Sequence, residues 1–329
     1  MKVWDLHCDT LSELRRAEQA GRPLSFARSG LHIDLEKLEA GDYLLQCFAA
    51  FVDLGSEEDP LVTALEEIDV FKRVMAAYPD RIAPVYTAAD IGRNAAAGRI
   101  SAMLTVEEGG CCKGSLGVLR RLYELGVRMM TLTWNYDNDL AASNVKEKAP
   151  FVWPCPPDAE HGLTEKGLAF LAEMERLHMI VDVSHLSDKG FWDIVQHSTR
   201  PFAASHSNCR ALAPHCRNLT DEMIRAMAER GCIAGLNYCT AFLDDQPDPA
   251  DCRSTAALIA QHAAHFKQVG GADMIALGSD FDGIGGPLEL DSCAKMPLLA
   301  DALRKAGFTE DEVEGIFWRN ARRFFEENL

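Results

Sequence analysis

The feature that most constrains the fold of this chain is a recurring apolar run that does not alternate with polar residues. Such runs occur at Tyr43–Val52, Ile100–Val106, Val127–Trp134, Met179–His185, Pro201–His206, Cys232–Asn237 and Met274–Asp280. Strands of this kind belong to a parallel sheet covered on both faces. Between them lie segments of helical period. After Asp59-Pro60, Leu61, Leu65, Ile68, Phe71 and Val74 fall at three- and four-residue steps. Ala88–Ala97, Leu116–Leu125, Thr164–Leu177, Lys189–His197, Thr220–Arg230 and Ala256–Val269 read likewise, followed by Leu298–Ala306 and Glu310–Glu327. Gly126 and Gly231 stand where a helix C-terminus wants a left-handed residue. The first strand is the opening Val3-Trp4-Asp5-Leu6, and Thr10 to about Ala20 is its helix.

Roughly eight strand–helix units result, which matches a (β/α)₈ TIM barrel of the metal-dependent hydrolase type. Length alone, 329 residues, fits one large barrel or two mid-sized domains. No Gly/Ser or Pro linker divides the chain, so residues 1–329 are read as one catalytic domain. A doubly wound open sheet is the alternative, but no Gly-rich phosphate fingerprint follows the first strand. The segments Leu140–Gly162 and Thr240–Asp251, rich in Pro, Asp and Asn, are expected as loops over the mouth.

Strand ends in such a barrel converge on one face. Here they carry His7 and Asp9, Glu107 or Glu108, Trp134, His185, His206 and Asp280. His7 and Asp9, two apart on extended chain, point to the same side, with Cys8 between them facing away. Taken alone, the triplet is explained by a buried histidine and a helix-capping aspartate. Three histidines plus Asp9 and Asp280 at strand ends together are hard to place by chance. They exceed what one zinc needs and suit two metals about 3.5–4 Å apart, bridged by a carboxylate and a hydroxide. A further carboxylate then has to shuttle the proton, and Asp280 on the last strand fits that place.

The net charge of −17 argues against nucleic acid as a partner, because an acidic chain gains nothing from counterion release. No apolar run reaches the ~18–20 residues of a membrane span, and no basic region with an apolar core opens the chain. The eleven cysteines form no CxxC pair and match no zinc-ribbon spacing. They are read as reduced thiols of a cytoplasmic protein.

The runs Asp5-Leu6-His7-Cys8-Asp9, Thr105-Val106-Glu107-Glu108-Gly109-Gly110, Val183-Ser184-His185, Ser205-His206-Ser207-Asn208, Arg217-Asn218 and Gly278-Ser279-Asp280-Phe281-Asp282-Gly283 occur in an order and spacing that resembles the renal (membrane) dipeptidases. These are a binuclear zinc branch of the amidohydrolase superfamily, and the likeness covers nearly the whole chain. It implies a (β/α)₈ metallodipeptidase with two Zn²⁺ per chain, acting on small unblocked dipeptides by attack of a metal-bridging hydroxide. A D-residue at the C-terminal side would be tolerated.

By the same resemblance His7 and Asp9 would bind the first zinc, His185 and His206 the second. Glu107 would bridge them, with Glu108 as the alternative. Asp280 would be the proton shuttle, and Arg217 would hold the substrate's C-terminal carboxylate, a task that suits a guanidinium fork. Asp282 would support the loop.

The chain departs from the family at Leu132-Thr133-Trp134, where the renal enzyme has Leu-Thr-His. Trp134 would wall the pocket, and Asn135, Tyr136 or Asn138 would supply the missing donor. Two other readings stay open: a binuclear amidohydrolase of N-acyl amino acids or another small amide or lactone, and a non-catalytic metal- or ligand-binding barrel. A homodimer is an arrangement open to such barrels.

Overall fold

A computed structural model describes residues 1–146 and 155–329. Its strands are β1 Val3–Asp5, β2 Tyr43–Phe51, β3 Ile82–Pro84, β4 Ile100–Glu107, β5 Val127–Thr131, β6 Ile180–Asp182, β7 Ala203–Ala204, β8 Ile233–Leu236 and β9 Ile275–Leu277. Eight of them close a ring in which every pairing is parallel: β1, β2, β4, β5, β6, β7, β8, β9 and back to β1. This is the expected (β/α)₈ barrel, not an open sheet. The ninth strand, β3, is extra to the ring. It pairs with the first half of β4, from Ile82↔Ile100 to Pro84↔Ala102, while β5 takes the second half, from Leu104 to Glu107.

The helices return the chain from the mouth of the barrel to its floor. Ser115, Thr164, Ser187, Thr220 and Thr255 each cap one by accepting the backbone N–H three residues on, a contact worth about 1 kcal/mol apiece. Inside the ring, Trp4, Leu45, Met103, Met129, Ile180 and Ile233 join Phe324 and Phe325 of the helix Asn320–Asn328 in one apolar cluster. Trp4 stacks on Phe325 at 5.4 Å. Asn320 Nδ2 donates to the carbonyls of Ala272 and Ile275 at the start of β9. That helix therefore plugs the floor and leaves only the opposite end open for a site.

Several strands are shorter than the apolar runs predict. β5 stops at Thr131 rather than Trp134, β6 at Asp182 rather than His185, β7 at Ala204 rather than His206 and β9 at Leu277 rather than Asp280. Backbone geometry keeps two of the expected end residues out of their strands. His185 (φ 71°) and Asp280 (φ 63°) are left-handed, a conformation that cannot continue a strand. The run Glu310–Glu327 is broken by a π-helical turn at Gly315–Arg319. Thr240–Asp251 is not all loop, since it holds a short helix at Thr240–Leu243. The helix Leu35–Ala40 and strand β3 were not expected. Of the expected loop Leu140–Gly162, residues 147–154 lie outside the described residues. Its ends are fastened by bridges from Ala141 to Leu163 and from Ser143 to Leu186.

The reading of all eleven cysteines as free thiols is corrected. Cys155 and Cys216 are joined in a disulfide (S–S 2.19 Å, Cα–Cα 5.5 Å), and the other nine are buried thiols. No local pattern betrays a pair 61 residues apart. No helix among the described residues is long and apolar enough to cross a membrane.

Candidate metal centre

Two buried carboxylates fasten the strand ends from which the site grows. Asp5, last residue of β1, accepts from the backbone N–H of His7 (3.2 Å) and of Ser279 (2.9 Å). Asp182, last of β6, accepts from the N–H of Ser184 (3.0 Å) and Ser205 (2.9 Å) and from the Ser205 hydroxyl. Each ties its own strand end to a neighbour's. The free N–H groups past the ladder are thereby satisfied. Neighbouring glycines leave the room this requires. A Cβ on Gly235 or Gly278 would lie 2.0 or 1.9 Å from the Ser205 carbonyl oxygen.

Beyond those ends five side chains converge around Glu107, the last residue of β4; four are buried and Asp280 is partly exposed. Oε2 of Glu107 lies 3.3 Å from His7 Nε2, while Oε1 lies 2.9 Å from His185 Nε2 and 3.5 Å from His206 Nε2. The two carboxylate oxygens therefore address two different sets of nitrogens. Asp9 Oδ2 approaches His7 Nε2 at 3.5 Å and Asp280 Oδ1 approaches it at 3.9 Å. His7, Glu107 and His206 converge as one donor triplet, and His7, Asp9 and Asp280 as another.

Hydrogen bonds on the far nitrogens aim the second pair of histidines. His185 Nδ1 meets Asn135 Oδ1 at 2.9 Å. An amide oxygen only accepts, so this nitrogen carries the proton and Nε2 presents its lone pair. His206 Nδ1 meets the Ser205 hydroxyl at 2.7 Å, and that hydroxyl gives its own proton to Asp182. His206 Nε2 is likewise left as a lone pair, and the two Nε2 atoms face each other at 2.9 Å. A ligating histidine needs its outer N–H anchored in this way.

The electrostatics have one consistent sense. Burial first, then Asp9 and Glu107, lift Asp280 to about 8. Burial and Glu107 lift Asp9 to about 6. Burial also pushes Glu107 upward, but His7 and the hydrogen bonds of His185 and His206 hold it well below the usual range. Burial and Arg217 pull His185 down to about 3. Burial opposes a charge on His7, but Glu107 and Asp9 raise it well above the ordinary histidine value, so three carboxylates share the charge of one imidazolium. His7 Nε2 and Asp9 Oδ1 are buried without a hydrogen-bond partner. Nitrogen and oxygen donors so arranged fit divalent cations of the zinc type.

Glu108 does different work. Left-handed at φ 102°, it turns away from the centre. Its carboxylate accepts from the N–H of Gly110 and Trp134, both 2.7 Å, and from the Asn138 amide. It organises the loop after β5, and Asn138 is consumed in the same loop through Leu132 and Leu140. Trp134 packs edge-on against Phe51 at 4.9 Å and sits 6.2 Å from the His185 ring. Asn135 is fully buried, and its Nδ2 has no partner.

A cavity of about 380 Å³ opens above the centre, walled by Asp9, Glu107, Trp134, Asn135, His185 and Asp280. Tyr136 meets Trp134 edge-on at 5.9 Å and is not among the residues of that wall. Arg217 is buried and does not line that cavity; it borders a gap of about 10 Å³ that His185 also lines. Its Nη2 donates to the His206 carbonyl at 3.2 Å.

Two site residues were given no role by the motifs, although Gly283 closes the Gly278–Gly283 run. Asn237, one past the end of β8, donates to Asp280 Oδ2 at 2.9 Å, and its only signal was its place at the close of an apolar run. Gly283 would, with a Cβ, meet Asp9 Oδ2 at 2.1 Å and Asp280 Oδ1 at 2.7 Å.

Known proteins resemble this chain over nearly its whole length. The membrane dipeptidase family (peptidase family M19) matches residues 1–328. A protein of Klebsiella pneumoniae from the pqqA 5′ region, itself uncharacterised, is 34% identical over 262 residues, 80% of this chain and 94% of its own. An uncharacterised dipeptidase of Schizosaccharomyces pombe is 32% identical over 310 residues, 90% of this chain and 72% of its own. Among solved structures, a metallopeptidase of Rhodobacter sphaeroides, liganded with a phosphinate mimic of L-Ala-D-Ala, superposes with a TM-score of 0.90. It is 26% identical, over 100% of this chain and 99% of that one. A metallopeptidase described as dipeptidase AC gives 0.89 at 28% identity, over 100% and 98%.

Proposed function

The chain belongs to the membrane dipeptidase family, and from that premise we propose that it hydrolyses the peptide bond of small unblocked dipeptides, with two zinc ions held by His7, Asp9, Glu107, His185 and His206. The observation that carries the metal assignment is Glu107. Its two oxygens face His7 on one side and His185 and His206 on the other, as a bridging ligand must. Glu108, spent on three donors of its own loop, is set aside as the bridge. Divalent ions bound there supply Lewis acidity and a water acidic enough to be deprotonated near neutral pH.

The protein's own groups do the rest. Asp280, partly buried and held at Oδ2 by Asn237, keeps Oδ1 toward the centre. It takes the proton of the attacking water and passes it to the leaving amine. Arg217 receives the substrate's C-terminal carboxylate from behind His185. Asn135 lines the cavity and its Nδ2 is buried and unpartnered; on this reading it donates to the substrate carbonyl, in place of the family histidine that Trp134 replaces. Trp134 and Phe51 give that side of the pocket an aromatic wall. A C-terminal residue of either hand is accepted, a reading supported by the L-Ala-D-Ala mimic bound to the Rhodobacter protein.

The test is metal content together with a substrate panel. About two zinc per chain, loss of hydrolysis on chelation, and turnover of dipeptides with L- or D-residues at the C-terminal side are expected. Turnover of N-acyl amino acids without turnover of free dipeptides would replace this reading with the acyl-amino-acid one. Asp280→Asn should keep its metals and lose at least about a hundredfold in kcat; full activity in that variant removes the shuttle role.

A further inference from the structure

The disulfide lies outside the catalytic centre, yet one of its cysteines is the residue before Arg217. Arg217 makes no ion pair within 4.0 Å among the described residues. Its Nε is buried without a partner, and its guanidinium has one hydrogen bond, to the His206 carbonyl, and the Phe242 ring at 5.4 Å. The side chain is therefore located by its backbone rather than by a counter-ion. That backbone is tied down at Cys216. Asn144 Nδ2 donates to the Cys216 carbonyl at 2.8 Å and Arg210 Nη2 at 3.0 Å. Arg210 is itself held by Asp188 at 2.6 and 2.8 Å. Asn144 Oδ1 accepts from the N–H of Asp158 and Asp188. The covalent link to Cys155 closes the same clasp from the loop that follows Asp137 and Asn144.

We propose that the Cys155–Cys216 disulfide is a positioning element for the substrate-carboxylate site. It holds the 208–219 segment so that Arg217 presents its guanidinium at the right depth behind His185. Opening the bond leaves the metal ligands in place and loosens Arg217. The inference rests on Arg217 as carboxylate receptor. In the reduction the S–S bond breaks and two thiols form. With a phosphine reductant, water supplies both protons and its oxygen, and the phosphine leaves as its oxide.

The test uses the metal-loaded protein, oxidised and after tris(carboxyethyl)phosphine, beside Cys155→Ser. Denatured without reductant, the oxidised protein should show nine free thiols; eleven would overturn the inference. Reduction and Cys155→Ser should each raise KM for a dipeptide about tenfold or more, since small misplacements of a binding group are costly. The kcat should stay within about twofold and the metal content should not change. An unchanged KM, or an equal fall in kcat and metal content, overturns the proposal. Hydrogen exchange of residues 208–219 is followed on the same samples. If the oxidised protein does not turn over dipeptides, the functional reading fails. The positioning role is then decided by whether reduction speeds exchange in that segment or leaves it unchanged.

Discussion

Gly283→Ala is the substitution that probes the centre most directly without removing a donor. A methyl group at that position would stand 2.1 Å from Asp9 Oδ2 and 2.7 Å from Asp280 Oδ1. Carbon and oxygen pack at roughly 3.3 Å or more, so the Asp9 carboxylate has to retreat by about an ångström. Gly283 is exposed at the cavity rim and is not among the residues with positive φ. The backbone therefore tolerates alanine, and the whole penalty falls on the two carboxylates. A displacement of that size costs on the order of a hundredfold in rate. Metal affinity should fall about ten- to a hundredfold with it. The assay is kcat and KM on a dipeptide at saturating zinc, with a zinc titration and a thermal melt. The melt should move little. Gly285→Ala, with nothing within 4 Å of its Cβ, is the control on the same loop. Wild-type rate and zinc affinity in Gly283→Ala would refute the placement of Asp9 and Asp280 about this loop.

Glu107→Gln should abolish turnover and lose metal. Glu108→Gln should keep its metals and instead lose about 1–3 kcal/mol of stability, because an amide cannot accept from three donors as the carboxylate does; the reverse ranking, read by metal analysis and urea unfolding, would exchange their roles. Glu67, buried and accepting from the Phe51 N–H and the Ser12 hydroxyl, is raised by burial from 4.5 to about 8. Its native state thus holds a proton that the unfolded chain has released, and stability should fall as pH rises from about 4.5 through 8. In Glu67→Gln that part of the slope should vanish, and an unchanged pH profile of unfolding would show that the group is not raised.

The barrel could be read from the sequence because a strand buried on both faces has no polar side to confuse it. Strand β3 could not, since Ile82-Ala83-Pro84 ends on a proline and lies in no longer apolar run. The overrun at β6 and β9 has a local cause. His185 and Asp280 follow apolar runs without interruption, yet each adopts a left-handed backbone that only the packed structure reveals. His7, Asp9, His185 and His206 were legible because imidazole and carboxylate are rare at the ends of apolar strands. Glu107 and Glu108 could not be told apart by text, since adjacent residues differ only in which way the chain turns. Asn237 and Gly283 act through a neighbour, one by a hydrogen bond and one by having no side chain, and neither effect has a sequence signature. The disulfide joins segments 61 residues apart that only the folded mouth of the barrel brings together.

The seam where β9 meets β1 has a consequence for how the protein is made. Asp5 accepts from Ser279, and the Ser279 hydroxyl reaches the His7 carbonyl across 272 residues of chain. The five residues proposed as ligands, His7 to His206, are all synthesised before β8 and β9. The ring that holds His7 against the others nevertheless closes only when β9 pairs with β8 and β1. Closure over so long a loop is slow. A divalent ion supplied before that closure therefore meets its proposed donors unassembled, whereas one supplied afterwards meets them in place.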